Sequence, residues 1–155
     1  MIRRATSLDE PWLVDLGGRA FAMLGDYRMV LPAWLEQPNV TAWVEEHAGQ
    51  RRGFSVIGFF EDELLRGAVA DLLALAVEPA WQRRGLGRAL LDHAVAVASA
   101  TARAGRLCEL RLCVADDNYV GQRLYGSTGF QRVPGEFGSY AGGQRAIRMV
   151  YPLQR

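Results

Sequence analysis

The sequence predicts a single domain of the α/β (α+β) class, and three observations support this prediction. Short segments with alternating or continuous apolar residues are typical of strands, and longer segments repeat their apolar residues at helical spacing. A strand-helix-strand unit, in which an apolar run from Leu72 to Val77 precedes a long helical segment, predicts parallel neighbouring strands. The length of 155 residues suits one compact domain over residues 1–155.

The N-terminal part of the chain predicts an edge strand, two helices and a hairpin of antiparallel strands. Ser7 and Glu10 have the spacing of a capping box at the start of the first helix. The hairpin strands are separated by a polar turn over residues 49–53. The predicted elements are a strand at Met1–Ala5, helices at Leu8–Met23 and Tyr27–Leu35, and strands at Val40–Glu46 and Phe54–Phe60.

The rest of the chain predicts a central strand followed by alternating helices and strands. The run from Leu72 to Val77 has no polar face, which indicates a strand covered on both sides. Gly105 and Gly129 have the positions of helix C-terminal caps. The predicted elements are strands at Ala68–Val77, Glu109–Val114, Phe130–Val133 and Ala146–Leu153, with helices at Gly85–Ala104 and Asp117–Thr128.

Composition and charge exclude several classes of function. A net charge of +1 argues against a broad nucleic-acid-binding surface. All 18 basic residues are arginine, which excludes mechanisms that need a lysine. Cys108 and Cys113 form no C-x-x-C pair and have no neighbouring histidine, so we expect no metal site. The chain shows no signal peptide and no membrane-spanning run, so a cytoplasmic location without membrane association is expected.

Between the central strand and the long helix lies the segment Gln82-Arg83-Arg84-Gly85-Leu86-Gly87, which we call the phosphate turn. Its two glycines permit a tight turn that aims several amide groups into one concavity, and the start of the helix adds about half a positive charge. Arg83, Arg84 and Arg88 are positioned to pair with phosphate groups, although a solvated polar face also explains Arg88. The sequence therefore predicts a cradle for a pyrophosphate.

Two common phosphate motifs do not fit this turn. A P-loop requires lysine, and a dinucleotide fingerprint requires a third glycine where this chain has Leu90. The pattern Q-x-x-G-x-G after a strand ending in V-x-P instead resembles the GNAT superfamily of N-acetyltransferases. Residues 117–130 also resemble the family's N-x-x-A-x-x-L-Y-x-x-x-G-F segment, except that Gly121 stands where the family usually has alanine.

The resemblance implies both a fold and an activity. The fold is a mixed, mostly antiparallel sheet of six to seven strands, with a central splayed parallel strand pair and about four flanking helices. The activity is that of an acyl-CoA-dependent N-acyltransferase, which moves acetyl from the co-substrate acetyl-CoA to a primary amine by direct attack in a ternary complex. The acceptor is a small molecule or a protein N-terminus. The ribosomal-protein alanine N-acetyltransferases are the branch that the chain resembles.

The resemblance also assigns roles to single residues. Tyr125 occupies the position of the phenol that protonates the leaving thiolate, and Asp71 is the candidate base, at a place where the similar branch carries glutamate. The shorter carboxylate favours a water relay, a hydrogen-bonding role for Asp71 stays open, and Glu78 is the second candidate base. The cofactor-binding candidates are Leu75, Ala76, Val77, Gln82, Arg83, Arg84, Gly85, Leu86, Gly87, Arg88 and Asn118.

Two other functions are compatible with the same turn. A catalytically inactive acyl-CoA-binding regulatory domain would keep the phosphate turn but lack a phenol or base, and Tyr125 and Asp71 argue against it. A nucleotide-binding module is disfavoured by the missing lysine and third glycine. We expect the N-terminal helices and the loop from Gly135 to Gly143 to shape the acceptor pocket. The sequence leaves open the acceptor, the acyl length and the oligomeric state, a homodimer included.

Overall fold

The computed structural model describes residues 1–65, 67–105 and 107–153, and seven strands of these residues form one sheet in the order β1-β2-β3-β4-β5-β7-β6. The strands are β1 (Ile2–Arg4), β2 (Val40–His47), β3 (Gln50–Asp62), β4 (Gly67–Val77), β5 (Leu107–Ala115), β6 (Gln131–Arg132) and β7 (Ala146–Pro152). The α-helices are α1 (Glu10–Ala20), α2 (Tyr27–Leu35), α3 (Leu86–Ala104) and α4 (Tyr119–Thr128). Two short 3₁₀ turns cover Ser7–Asp9 and Pro79–Trp81.

The direction of the strands confirms the predicted sheet. β4 and β5 are parallel and joined through α3, and all other neighbouring strands are antiparallel. Apolar residues of α3 such as Leu91, Ala94 and Ala98 form a core with one face of the sheet, whereas Leu13, Leu16 and Leu31 of α1 and α2 pack against the other. β4 contributes residues to both cores and is therefore covered on both sides, as the unbroken apolar run predicted.

A β-bulge in β4 changes which of its side chains face each helix layer. Ile57 of β3 lies opposite Leu72, but Val56 lies opposite Ala74, so Leu73 has no partner of its own in this pairing. Before the bulge Leu72 faces the α3 layer, and after it Ala74 belongs to the α1 and α2 layer. The bulge therefore turns Leu73 and Ala74 toward the same side of the sheet.

The parallel pair β4–β5 separates along its length. The pairing runs from Ala68–Leu107 to Leu72–Leu112 and ends there. β4 nevertheless stays paired with β3 as far as Val77, and β5 stays paired with β7 as far as Ala115. The carboxyl ends of the two central strands thus splay apart, as expected from the family resemblance, and leave a wedge between them.

Three local predictions differ from the structure. The capping box uses Thr6 and Asp9 rather than Ser7 and Glu10, and the Thr6 amide donates to Asp9 Oδ2 at 2.8 Å. The predicted helix from Leu8 to Met23 is a 3₁₀ turn followed by α1, which ends at Ala20. The hairpin turn is only Ala48–Gly49, both with positive φ (51° and 76°), so residues 50–53 belong to β3 rather than to a loop.

Two buried carboxylates, those of Asp9 and Glu45, form ion pairs at the N-terminal edge of the sheet. Asp9 is 1% exposed and accepts hydrogen bonds from Arg3 and Arg51, each at 2.8 Å. Glu45 is 4% exposed and accepts from Arg52 at 2.6 and 2.7 Å. Each buried charge is thereby paired, as burial requires.

The described part of the chain contains no helix that is both long and apolar enough to span a bilayer.

Candidate active site

A cavity of about 490 Å³ opens where β4 and β5 splay apart. One wall is β4 from Leu72 to Leu75, and the opposite wall is β5 from Leu112 to Ala115. The end of α1, the start of α2, the start of α4 and the loop before β7 complete the lining. The remaining lining residues are Ala20, Phe21, Met23, Leu24, Tyr27, Asp117, Asn118, Tyr125, Tyr140 and Gln144.

The phosphate turn joins the end of β4 to α3 through two residues with left-handed backbones. Arg83 has φ of 63°, and Gly85, the N-cap of α3, has φ of 81°. A Cβ at Gly85 would meet no atom within 4 Å, so its conformation rather than crowding favours glycine there. The first bond of α3 runs from the Ala89 amide to the Gly85 carbonyl at 3.0 Å. The amides of the first helical turn are consequently directed out of the helix start, a geometry that suits an anion.

The polar side chains around the phosphate turn have different surroundings. Gln82 turns back and donates from Nε2 to the carbonyl of Val77 at 3.0 Å, which ties the turn to the end of β4. Arg83 and Arg84 are exposed. Arg88 donates to the hydroxyls of Ser127 and Thr128, so it links α3 to the end of α4. Arg88 is therefore engaged in a helix-helix contact in addition to lying near the turn.

The three predicted strand residues divide between the cavity and the core. Leu75 lines the cavity, whereas the side chain of Ala76 is 5% exposed and packs in the α1 and α2 layer. The backbone of all three residues follows the point where pairing with β5 ends, at Leu72. The edge of β4 that faces the wedge is thus available for main-chain hydrogen bonds to a ligand.

Asn118 caps α4 and also lines the cavity. Its Oδ1 accepts from the Gly121 amide at 2.9 Å. A Cβ at Gly121 would lie 2.6 Å from Asn118 Nδ2 and 3.0 Å from its Cγ, so a larger residue there would require the capping side chain to shift.

Tyr125 lies on α4 and reaches the cavity. Its ring packs edge-on against Phe130, with ring centroids 6.2 Å apart. Burial raises the pKa of the Tyr125 phenol, so the group keeps its proton at neutral pH. The structure therefore places a neutral hydrogen-bond donor in the wedge.

Asp71 lies next to the cavity but does not line it. Its Oδ1 accepts from Arg111 Nε at 2.9 Å, and Arg111 also donates to Asp62 at 3.1 Å. Asp71 lies two residues before Leu73 on β4, and Arg111 lies two residues before Cys113 on β5, so each pair is on the same side of the sheet. Leu73 and Cys113 line the cavity. The Asp71 carboxylate is therefore paired with Arg111 and does not contribute to the cavity lining. Glu78, the second candidate base, instead accepts from Trp12 at 2.9 Å and from Arg19 at 3.1 Å.

Sequence reasoning missed four titratable residues that line the cavity, namely Tyr27, Cys113, Asp117 and Tyr140. Burial raises the pKa of both added phenols. Cys113 is exposed on β5, opposite the face that carries Leu112 and Val114 in the core. The alternation of β5 signals that orientation, but nothing in the sequence relates Tyr27 and Tyr140 to the same site.

Two loops close one side of the cavity through hydrogen bonds that we call the loop clasp. The Gly142 amide donates to the Leu24 carbonyl at 3.0 Å, and Gln144 Nε2 donates to the Met23 carbonyl at 3.0 Å. A Cβ at Gly142 would lie 2.0 Å from the Met23 carbonyl oxygen, so the approach of the two loops requires glycine. The clasp brings Tyr140 over the cavity.

The sequence matches a family and one curated relative. The family model for the acetyltransferase (GNAT) domain matches residues 38–132, which is more than half of the chain. Mycothiol acetyltransferase of Kocuria rhizophila is 30% identical over 139 residues, covering 80% of this chain and 43% of that protein. The chain thus spans less than half the length of this relative.

Solved structures share the fold over nearly the whole chain. The ribosomal-protein-S18-alanine N-acetyltransferase of Escherichia coli is 25% identical with a TM-score of 0.77, covering 100% of this chain and 94% of that one. NAA60 of Arabidopsis thaliana in complex with acetyl-CoA is 19% identical with a TM-score of 0.82, covering 98% and 97%. The family match, together with the splayed strands, the phosphate turn and the cavity, shows that this chain belongs to the GNAT acetyltransferase family.

Proposed function

We propose that this protein binds acetyl-CoA in the wedge between β4 and β5 and transfers the acetyl group to a primary amine. The observation that carries the proposal is the alignment of three features along one path. The phosphate turn lies at the end of β4, the open edge of β4 follows the wedge, and the Tyr125 phenol lies in the cavity at its end. Acetyl-CoA has a pyrophosphate, an amide-bearing arm and a thioester in that order.

The residues present fit the chemical groups of acetyl-CoA. The first-turn amides of α3 and the exposed Arg83 suit the pyrophosphate, since both present positive charge to an anion. Backbone groups of Leu75, Ala76 and Val77, with Asn118 across the wedge, suit the amides of the pantetheine arm. The other residues of the phosphate turn and the one after it remain candidates for contact with the cofactor. They are Gln82, Arg84, Gly85, Leu86, Gly87 and Arg88.

The reaction that we propose is a direct transfer without a covalent enzyme intermediate. The neutral amine attacks the thioester carbonyl, a carbon-nitrogen bond forms and the carbon-sulfur bond breaks. The leaving thiolate takes the proton of the Tyr125 phenol, whose raised pKa keeps that proton in place until it is needed. After the attack, the nitrogen of the amine loses a proton to a water molecule. That water passes a proton to the carboxylate of Asp71, which lies beside the cavity.

The shape of the cavity supports two classes of acceptor. The loop clasp joins the α1–α2 loop to the loop before β7, so the acceptor side is enclosed by Phe21, Leu24, Tyr27 and Tyr140. An enclosed site admits a small amine or the end of a polypeptide chain more readily than a side chain on a folded surface. We propose a small molecule or a protein N-terminus as the acceptor.

Ligand-dependent thermal stability tests the donor assignment. Saturation with CoA or acetyl-CoA at about 100 times its Kd should stabilise the protein by about 2.7 kcal/mol, and ATP at the same concentration should not. Transfer is then measured by mass spectrometry with a panel of small amines and peptides. Stabilisation by CoA without transfer to any amine would instead support an inactive acyl-CoA-binding domain, and no stabilisation by either CoA species would contradict the proposal.

A further inference from the structure

Two guanidinium groups lie over the ring of Trp81, the residue directly before the phosphate turn, and we call this arrangement the stack. The Cζ atom of Arg52 is 5.0 Å from the centroid of the Trp81 ring, and that of Arg84 is 5.1 Å away. Arg52 comes from β3 and Arg84 from the phosphate turn itself. Cations at this distance from an indole ring are attracted by its electron-rich face. The stack therefore connects the turn to the sheet.

The sheet end of this stack is firmly held. Glu45, which is 4% exposed, accepts two hydrogen bonds from Arg52 at 2.6 and 2.7 Å. The backbone carbonyl of Arg52 also accepts from the Glu78 amide at 2.8 Å, and the Trp81 amide donates to the Glu78 carbonyl at 2.8 Å. Side-chain and main-chain contacts thus fix Arg52 and Trp81 relative to the end of β4.

The other end of the stack, Arg84, belongs to a segment of the phosphate turn with an unfavourable backbone conformation. Arg84 is flanked by two residues in the left-handed region, Arg83 with φ of 63° and Gly85 with φ of 81°. A left-handed conformation is unfavourable for a residue with a side chain and persists where the surrounding contacts hold it. The stack of Arg84 on Trp81 supplies such a contact in the middle of the turn.

We propose that Trp81 is a positioning residue for the phosphate end of CoA, an inference that rests on the proposed function. By holding Arg84, it keeps the phosphate turn in the conformation that presents the α3 amides to the pyrophosphate. Arg84 contributes mainly through the stack, and Arg83 and the α3 amides meet the phosphates. Glu45 and Arg52 extend the same support into the sheet.

The first test is the Kd of CoA, measured by isothermal titration calorimetry. Trp81→Leu removes the aromatic face and should raise Kd by roughly three- to tenfold, whereas Trp81→Phe keeps a ring and should stay within about twofold of wild type. Phe137→Leu is the matched control, because Arg148 stacks on Phe137 at 4.6 Å in a loop away from the phosphate turn. Its Kd for CoA should equal that of the wild type.

The second test separates positioning from general damage to the structure. S-acetylpantetheine lacks the phosphates and the nucleotide, so kcat/KM for this donor should be the same in wild type and Trp81→Leu, whereas kcat/KM for acetyl-CoA should fall. An unchanged Kd for CoA in Trp81→Leu, or equal losses with both donors, would overturn the inference. A wild-type protein that binds no CoA at millimolar concentration would instead overturn the proposed function and this inference together.

Discussion

Two groups of polar side chains in this molecule are withdrawn from water, and their environments differ. Asp9 and Glu45 at the N-terminal edge are 1% and 4% exposed, and arginines donate hydrogen bonds to both. The phenols of Tyr27, Tyr125 and Tyr140 line the cavity, where burial raises their pKa. Arginine partners within the fold keep the two carboxylates charged, whereas burial at the wall of the cavity keeps the phenols neutral.

This contrast separates the part of the molecule that contributes stability from the part that we propose performs chemistry. Removing one partner of a buried ion pair destabilises the folded state, and a charge already paired within the protein has little capacity left for a ligand. A neutral phenol at a cavity wall keeps a donor for a group that enters from outside. Substitutions in the two regions should therefore change different measured quantities.

The largest expected effect is that of Tyr125→Phe. Loss of the general acid should lower kcat by about 100-fold, with the KM for acetyl-CoA and the Tm nearly unchanged because the ring remains. Tyr119→Phe is the matched control, since this phenol lies on the same helix but is 68% exposed. Unchanged turnover in Tyr125→Phe would remove this residue from the mechanism.

The pH dependence of wild-type turnover tests the same phenol. Burial favours the neutral form, so the pKa of Tyr125 lies above its ordinary value of 10.0 and the proton is retained to higher pH. We expect no loss of kcat from this group below pH 10. A decline that starts near neutral pH and disappears in Tyr125→Phe would contradict the assignment.

Asp9→Asn should have the opposite profile, with lower stability and unchanged kcat. The substitution removes the Asp9 carboxylate from Arg51 and from Arg3, which still pairs with Glu46. This loss should cost about 2 kcal/mol of unfolding free energy, measured in urea. Asp15→Asn is the control, because Asp15 is exposed and pairs with Arg19 and Arg28 at the surface. Equal losses in the two variants would show that burial of Asp9 adds nothing.

The stability contributed by Asp9 also depends on pH in a defined direction. Hydrogen bonds from Arg3 lower the pKa of Asp9 below its ordinary value of 3.8. The unfolded chain therefore binds this proton first as the pH falls, and the contribution present above about pH 4 is lost below it. The difference in stability between wild type and Asp9→Asn should shrink in that acidic range, and a constant difference would argue against this linkage.

Asp71→Asn should have a smaller effect on turnover, about tenfold, and most clearly at low pH where fewer amines are neutral. Asparagine keeps an oxygen that can accept from Arg111, so the contact between these two side chains beside the cavity is retained. Asp117→Asn is the matched variant, because Asp117 is a carboxylate of the cavity lining. A larger loss in Asp117→Asn would assign proton removal to that residue instead.

The smallest expected effect is that of Gly142→Ala, which should separate the two loops of the clasp. Loss of their hydrogen bonds should cost about 1 kcal/mol of stability and raise the KM for the amine. Gly126→Ala is a control with the opposite sign, because a Cβ there meets no atom within 4 Å and alanine favours the helix. An unchanged KM for the amine in Gly142→Ala would show that the clasp does not shape the acceptor site.

Local sequence signals predicted most of the fold. The bounds of α2 agree with the prediction, and those of α3 differ by one residue because Gly85 is its N-cap rather than its first residue. The hairpin turn was placed wrongly because Ala48 adopts a positive φ, which its residue type does not signal. The capping box was shifted by one residue, since neighbouring polar residues offer overlapping patterns and tertiary ion pairs select Asp9.

The candidate site was predictable only where its residues are consecutive in sequence. The phosphate turn and α4 carry recognisable spacing, so Gly85, Asn118 and Tyr125 could be named as candidates, and Asn118 and Tyr125 line the cavity. Tyr27 and Tyr140 come from distant segments, and they meet because the loop clasp joins those segments. Contacts of this kind depend on the complete fold and leave no local pattern.

The exposed thiol of Cys113 has a practical consequence for enzymology. It lies on the cavity wall, within reach of small electrophiles that enter from solvent. Aromatic disulfides, the usual colorimetric indicators of liberated CoA, should derivatise this cysteine and block the wedge during a continuous assay. Rates are therefore best recorded with the indicator added after quenching, and a Cys113→Ser enzyme would allow continuous detection.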